Sequence, residues 1–273
     1  MTARGERGFL PIETIIFVLV IGLVVLAAFV MFFKQSKNNA TMPDDTNTEQ
    51  TAKNYTTAKP QLKQWPVVID EFNLSTQQAG DVYLRDEVLI SEVSGESELP
   101  VTEFGRERGK KGISMAVEFL TRREAPVYSA SDGYVLAVTP VKNNGLEEFS
   151  VQVAPEKAQT TQWTTVYQHL AKVEVKAGDT LQSGQRIGAA APYGADAPFS
   201  RVGLQVVRYA VSNVQGTPEA QCPSRFMKSD ARQQMTADFL LLTKAWEEQS
   251  SNGGAYNEPA WARLGCVADT LKL

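Results

Sequence analysis

The chain has 273 residues, 43% of them hydrophobic, a net charge of −4, a pI near 5.3, one histidine and two cysteines. That is apolar material enough for a real core in one or two domains. The acidic balance leaves no electrostatic footprint for nucleic acid, and one His with two Cys gives a metal few soft ligands.

From Thr14 to Phe33 every residue except Thr14 is apolar or Gly. As a helix such a run spans roughly 30 Å, the thickness of a bilayer's hydrocarbon core. A buried core helix would keep a polar face, and none exists here. The run is also longer than a typical secretory signal core and lacks a small-residue cleavage site. It predicts a single membrane span. Arg4 and Arg7 before it balance Lys34 and Lys37 after it, so the positive-inside rule is nearly silent. A short leader and a large C-terminal body place the N-terminus inside and the body outside. The flank Arg7-Gly8-Phe9-Leu10-Pro11-Ile12-Glu13 resembles the processing site of type IV prepilins. That resemblance implies cleavage between Gly8 and Phe9, with Glu13 as the pilin-type glutamate. An ordinary signal anchor that happens to carry Glu13 is the other reading. Pilins continue their helix past the membrane, whereas Asn38-Asn39-Ala40-Thr41-Met42-Pro43 breaks it here.

Gln35 to Lys63 is polar, with few apolar residues. It cannot bury enough surface to offset its ordering entropy and reads as a tether. Trp65, Val67, Val68 and Ile69 announce a folded body. Val82, Leu84, Val88 and Ile90 suggest strands, with Asp81 and Asp86-Glu87 in turns.

From Pro126 to Tyr209 the pattern is alternating apolar residues punctuated by Gly-bearing turns. It includes Thr165–Leu170, then Val175-Lys176-Ala177-Gly178-Asp179, then Leu181 to Gly188. This predicts strand, hairpin, strand. The framework Lys111-Gly112-Ile113, Pro126-Val127-Tyr128, Asp132-Gly133, Tyr167-Gln168-His169-Leu170 and Ser183 to Gly188 resembles the LytM/lysostaphin-type zinc endopeptidases that cut peptidoglycan cross-links. The fold so implied is mainly β: a LytM-like antiparallel β-barrel or sandwich of duplicated hybrid motif, with an N-terminal transmembrane helix and a C-terminal helix. That family holds zinc with a His-x-x-x-Asp motif and the second His of a His-x-His. Here the corresponding positions are Lys110 and Ser114, then Gly203 and Gln205, so all three ligands are absent. A protonated lysine has no lone pair to offer. The Lys110 ammonium either fills part of the cation's space or is a solvated loop charge. His169 matches a family histidine that assists catalysis; alone it is a hydrogen-bonding residue under the groove rather than a metal site. No cofactor is expected. The groove candidates are Lys110, Lys111, Ser114, His169, Tyr193, Gly203 and Gln205, with Tyr193 chosen because Pro192-Tyr193-Gly194 reads as an exposed turn.

Towards the C-terminus Ser229 is a candidate N-cap. Met235, Phe239, Leu242 and Trp246 recur at helical spacing as a core-facing stripe, and Asn252-Gly253-Gly254 ends the helix. Cys222 and Cys266, outside the cytosol by the topology above, predict a disulfide.

The organisation expected is a leader and span over 1–34, a linker over 35–63, a degenerate LytM-like domain over 64–216 and a disulfide-closed helical extension over 217–273. The function expected is that of a pseudoenzyme in the cell envelope. It would be a single-pass inner-membrane protein with its body in the periplasm or another extracytoplasmic space. Its groove would bind peptidoglycan or a protein partner, and it could serve as a pilin-like or assembly component of an envelope-spanning machine. Two other readings stay open: an active metalloendopeptidase with an atypical site, and a membrane-fusion-type adaptor with a hybrid barrel. Adaptors of that kind add long heptad repeats, which the sequence lacks.

Overall fold

The structure, a computed structural model, describes residues 55–84, 99–108, 112–143, 145–158, 160–209, 217–251, 253–254, 256 and 264–273. Gly8, Phe9, Glu13, the apolar run 14–33, Val88, Ile90, Lys110, Lys111 and Asn252 lie outside the described residues. Among the described residues no helix is long and apolar enough to cross a membrane.

The first strands are short: β1 (Tyr55–Thr56), β2 (Phe72–Asn73), β3 (Gln78–Ala79), β4 (Val82–Tyr83) and β5 (Val101–Thr102). Then come β6 (Val117–Arg122), β7 (Pro126–Tyr128), and a long hairpin of β8 (Gly133–Asn143) and β9 (Leu146–Ala154). The Gly-punctuated run continues as β10 (Thr160–Thr161), β11 (Trp163–Ala171), β12 (Thr180–Leu181), β13 (Arg186–Pro192) and β14 (Phe199–Arg208). β15 (Glu219–Gln221), a 3-10 turn at Pro223–Phe226, helix α1 (Ser229–Ser250) and β16 (Thr270–Lys272) complete the chain. The main sheet runs β12-β8-β9-β11-β13-β14-β6-β4-β3-β2, with β11 also pairing β14 directly and β15 and β16 added beyond β14. Its pairings are antiparallel, whereas β1 and β10 form a separate parallel pair.

Alternation along the strands decides which face is buried. Val202, Leu204 and Val206 of β14, Val117 and Phe119 of β6, and Tyr167 of β11 are fully buried in the core. Their neighbours Arg201, Gly203, Gln205, Glu118 and Gln168 stand on the other face, where Gly203 pairs with Glu118 on one side and Gln168 on the other. α1 closes the apolar side. Met235, Phe239, Leu242 and Trp246 are all buried, and the Trp65 indole donates to the Met235 carbonyl at 3.0 Å while packing against Phe119 and Phe239. The stripe therefore faces the core, as its spacing predicts.

The helix start differs from expectation. Lys228, extended at φ −62° and ψ 140°, is the N-cap, and Ser229 is already the first helical residue. The Lys228 carbonyl accepts from Ala231 and Arg232, while its own N–H donates to Leu62, so the strand-like entry is set by tertiary contact. At the other end Ser251 takes the left-handed conformation and its N–H returns to Glu247.

The body also begins earlier than its composition suggests. Tyr55 and Thr56 pair with Thr160 and Thr161, and Leu62 is fully buried beside Met227. One buried leucine and a few strand bonds suffice to recruit a polar segment to the fold. The C-terminal part is likewise no appendage, since β15 and β16 extend the main sheet. Cys222 and Cys266 are joined as a disulfide, with Cα atoms 5.8 Å apart.

Candidate functional site

The polar face of β6, β14, β11 and β9 gathers the described candidates into one patch. At its centre the Gln168 amide donates to Gln205 Oε1 at 3.0 Å. Gly203 lies beneath: a Cβ there would sit 3.2 Å from Gln168 Oε1 and 3.4 Å from the Ala116 methyl. A side chain at 203 would therefore require the Gln168 amide to give way slightly.

On one flank Ser114, 3% exposed, donates its hydroxyl to the Ala116 carbonyl at 2.9 Å and lies 3.4 Å from Glu118 Oε1. Arg108 Nη1 grips both Glu118 oxygens at 2.9 and 3.1 Å. Arg201 approaches the same carboxylate at 3.9 Å and lays its guanidinium over the Tyr193 ring, 5.1 Å from its centre. Tyr193 itself is half-buried against Phe199, with ring centres 5.1 Å apart, so it borders the patch rather than projecting from an exposed turn.

The other flank is built on a backbone irregularity. Opposite β9 the register of β11 slips between Tyr167 and Leu170, so Gln168 and His169 together face Ser150 alone. The slip places His169 at φ +59° and turns its imidazole onto Glu148, with Nδ1 2.6 Å from Oε2. The Asn143 amide donates to the two oxygens of the same carboxylate at 3.2 and 3.3 Å. Burial pushes the Glu148 carboxyl up, but the hydrogen bond and charge of His169, then Arg201 and Asn143, outweigh it and hold the group below its ordinary value. The partner of His169 is thus a residue that the motif does not include.

A divalent cation does not fit this arrangement. Zinc needs about three N, O or S donors and an open position. Ser114 is turned onto a carbonyl, Gln205 already accepts from Gln168, and Gly203 offers no side chain. The nearby carboxylates are engaged: Glu118 by two guanidiniums, Glu148 by His169 and Asn143. No group of three or more His, Cys, Asp or Glu able to hold a metal occurs among the described residues.

Glu118, Glu148, Arg108, Arg201 and Gln168 were not among the candidates from motif reading. The one available signal was alternation: Arg201-Val202-Gly203-Leu204-Gln205-Val206 and Val117-Glu118-Phe119 each place polar residues on a single strand face.

Comparison with known proteins agrees with this framework. Residues 109–210 match the sequence model of Peptidase family M23. This segment is a LytM-type domain of that family. Among solved structures, lysostaphin from Staphylococcus simulans is 19% identical over 60% of this chain and 55% of its own, with a TM-score of 0.36. The present chain thus spans about half of that lysostaphin's length. The isolated lysostaphin catalytic domain is 25% identical over 48% of this chain and 91% of its own, at a TM-score of 0.34. The SpoIIQ-SpoIIIAH pore forming complex contains a chain 19% identical over 63% of this one and 93% of its own, also at 0.34. No curated protein matches the chain. The M23 segment covers the polar face from Ser114 to Gln205, so the substitutions at the ligand positions fall inside the family domain.

Proposed function

We propose that the chain is a noncatalytic, membrane-anchored member of the cell envelope whose LytM-type polar face binds peptidoglycan or an envelope protein without cutting it. One observation carries this reading. Where the family places zinc donors, Gln205 is bonded to Gln168, and Ser114 adjoins a carboxylate already clasped by Arg108 and Arg201. The partly exposed Gln168 amide, His169 imidazole and Tyr193 edge are suited to hydrogen-bonding a glycan or peptide. The apolar run 14–33 would supply the anchor, and a disulfide is at home in an oxidising compartment.

The test is co-sedimentation of the full chain with intact sacculi, comparing wild type with a Tyr193→Ala, Gln205→Ala variant. Retention of wild type and loss of the variant is the expected result. If neither is retained, wall binding fails and a protein partner takes its place; if both are retained equally, the polar face is not the binding surface. N-terminal sequencing of the mature chain decides processing: a start at Phe9 fits the prepilin-like reading, and an intact Met1 ends it.

A further inference from the structure

A cavity of about 840 Å³, lined by none of the polar-face residues, opens where residues 58–63 meet the turn at Pro155-Glu156 and the start of α1. Its lining carries four cations, Lys59, Lys63, Arg225 and Lys228, against two carboxylates, Asp132 and Glu156. That local excess of two positive charges sits in a chain whose net charge is −4. Neither carboxylate is idle. Asp132 pairs with Lys63 and accepts the Ser183 N–H, while Glu156 accepts the Thr56 hydroxyl at 2.9 Å. Lys228 is paired with Asp230 at 2.8 Å.

Lys59 and Arg225 differ. Among the described residues neither meets a carboxylate: Lys59 Nζ rides 5.6 Å above the Trp163 ring and Arg225 donates to the Gln221 side-chain oxygen at 3.2 Å. Ser229, in the first turn of α1, also lines the cavity, and the helix has no side-chain cap at this end. Its positive end, partly offset by the Asp230 carboxylate in the same turn, adds to the field of the two cations. A concave site with such walls concentrates anions, and its volume is that of a small-molecule pocket rather than of a bare ion site.

We propose that this cavity binds a phosphate-class anion, with Lys59 and Arg225 as its charged contacts. The phosphate could belong to a soluble compound or to a lipid headgroup. The headgroup source rests on the membrane-anchored reading above; the soluble source does not.

The probe is inorganic phosphate, titrated against the full chain in neutral detergent at constant ionic strength held with chloride. Hydrogen exchange of 58–63 and 225–229 is the readout. The expected result is saturable slowing in those segments, weakened about tenfold or more by Lys59→Ala, Arg225→Ala, since two charge-assisted bonds are lost. Both residues are exposed, so the fold should survive, and Arg225→Lys should retain most of the effect. A second arm places the same chain in nanodiscs of phosphatidylglycerol or phosphatidylcholine. Slowing confined to phosphatidylglycerol, and absent in the double variant, assigns the site to headgroups. Slowing with free phosphate and no lipid dependence assigns it to a soluble phosphate. Absence of any response in both arms, or a response equal in the double variant, overturns the proposal. Sacculus binding through the polar face would be untouched by that failure.

Discussion

His169 Nδ1 and Glu148 Oε2 lie 2.6 Å apart across a slip in the β9–β11 register, and the pair closes one flank of the polar face. Because Glu148 titrates below its ordinary 4.5 in the folded chain, the stability it contributes is fully present above that pH. It is lost as pH falls through the lower folded value. The Tm difference between wild type and Glu148→Gln should therefore shrink as pH drops below 4.5. A difference independent of pH would contradict the pairing.

The second relationship to test is the clasp on Glu118. Removing one partner from a mostly buried ionic cluster leaves charge uncompensated, which costs about 3 kcal/mol. Glu118→Ala should lower unfolding free energy by that order in urea titration. Glu118→Gln, which still accepts hydrogen bonds, should cost less. Equal and negligible losses would show that the cluster is a solvated surface feature.

Reducing the disulfide should loosen the C-terminal part first. Cys222→Ala, Cys266→Ala removes a link closing 44 residues of chain, and the chain-entropy account puts the loss at about 4 kcal/mol. Chemical denaturation of the double variant measures it directly, and hydrogen exchange should rise first at β16 and at α1.

Truncating the helix stripe probes the apolar side. Phe239 is fully buried, and its ring packs near Trp65 and beneath Gly265, where a Cβ would meet it at 3.0 Å. Phe239→Ala should cost about 3–5 kcal/mol. Exposed Leu241, two residues along, should tolerate Ala with a loss of about 0.5 kcal/mol or less.

Much of this architecture is legible without coordinates. Period-two alternation marks β11 and β14, helical spacing marks the Met235–Trp246 stripe, and the family resemblance points to Ser114 and Gln205, which the sheet brings to one polar face. What surrounds them there is not legible. Glu148 reaches His169 from 21 residues away only because the register slips by one residue. Gln168 reaches Gln205 across 37 residues because β11 and β14 pair directly. Such partners depend on register, which motif reading does not supply. The helix start is not legible for a related reason: Lys228 is held extended by Leu62, a residue of the segment whose polar composition argues for a tether.

The most direct test of the noncatalytic account is zinc stoichiometry of the purified full chain after equilibrium dialysis, measured alongside release of soluble fragments from sacculi. The account predicts no stoichiometric zinc and no release from wild type. One zinc per chain, lost on His169→Ala together with fragment release, would contradict it.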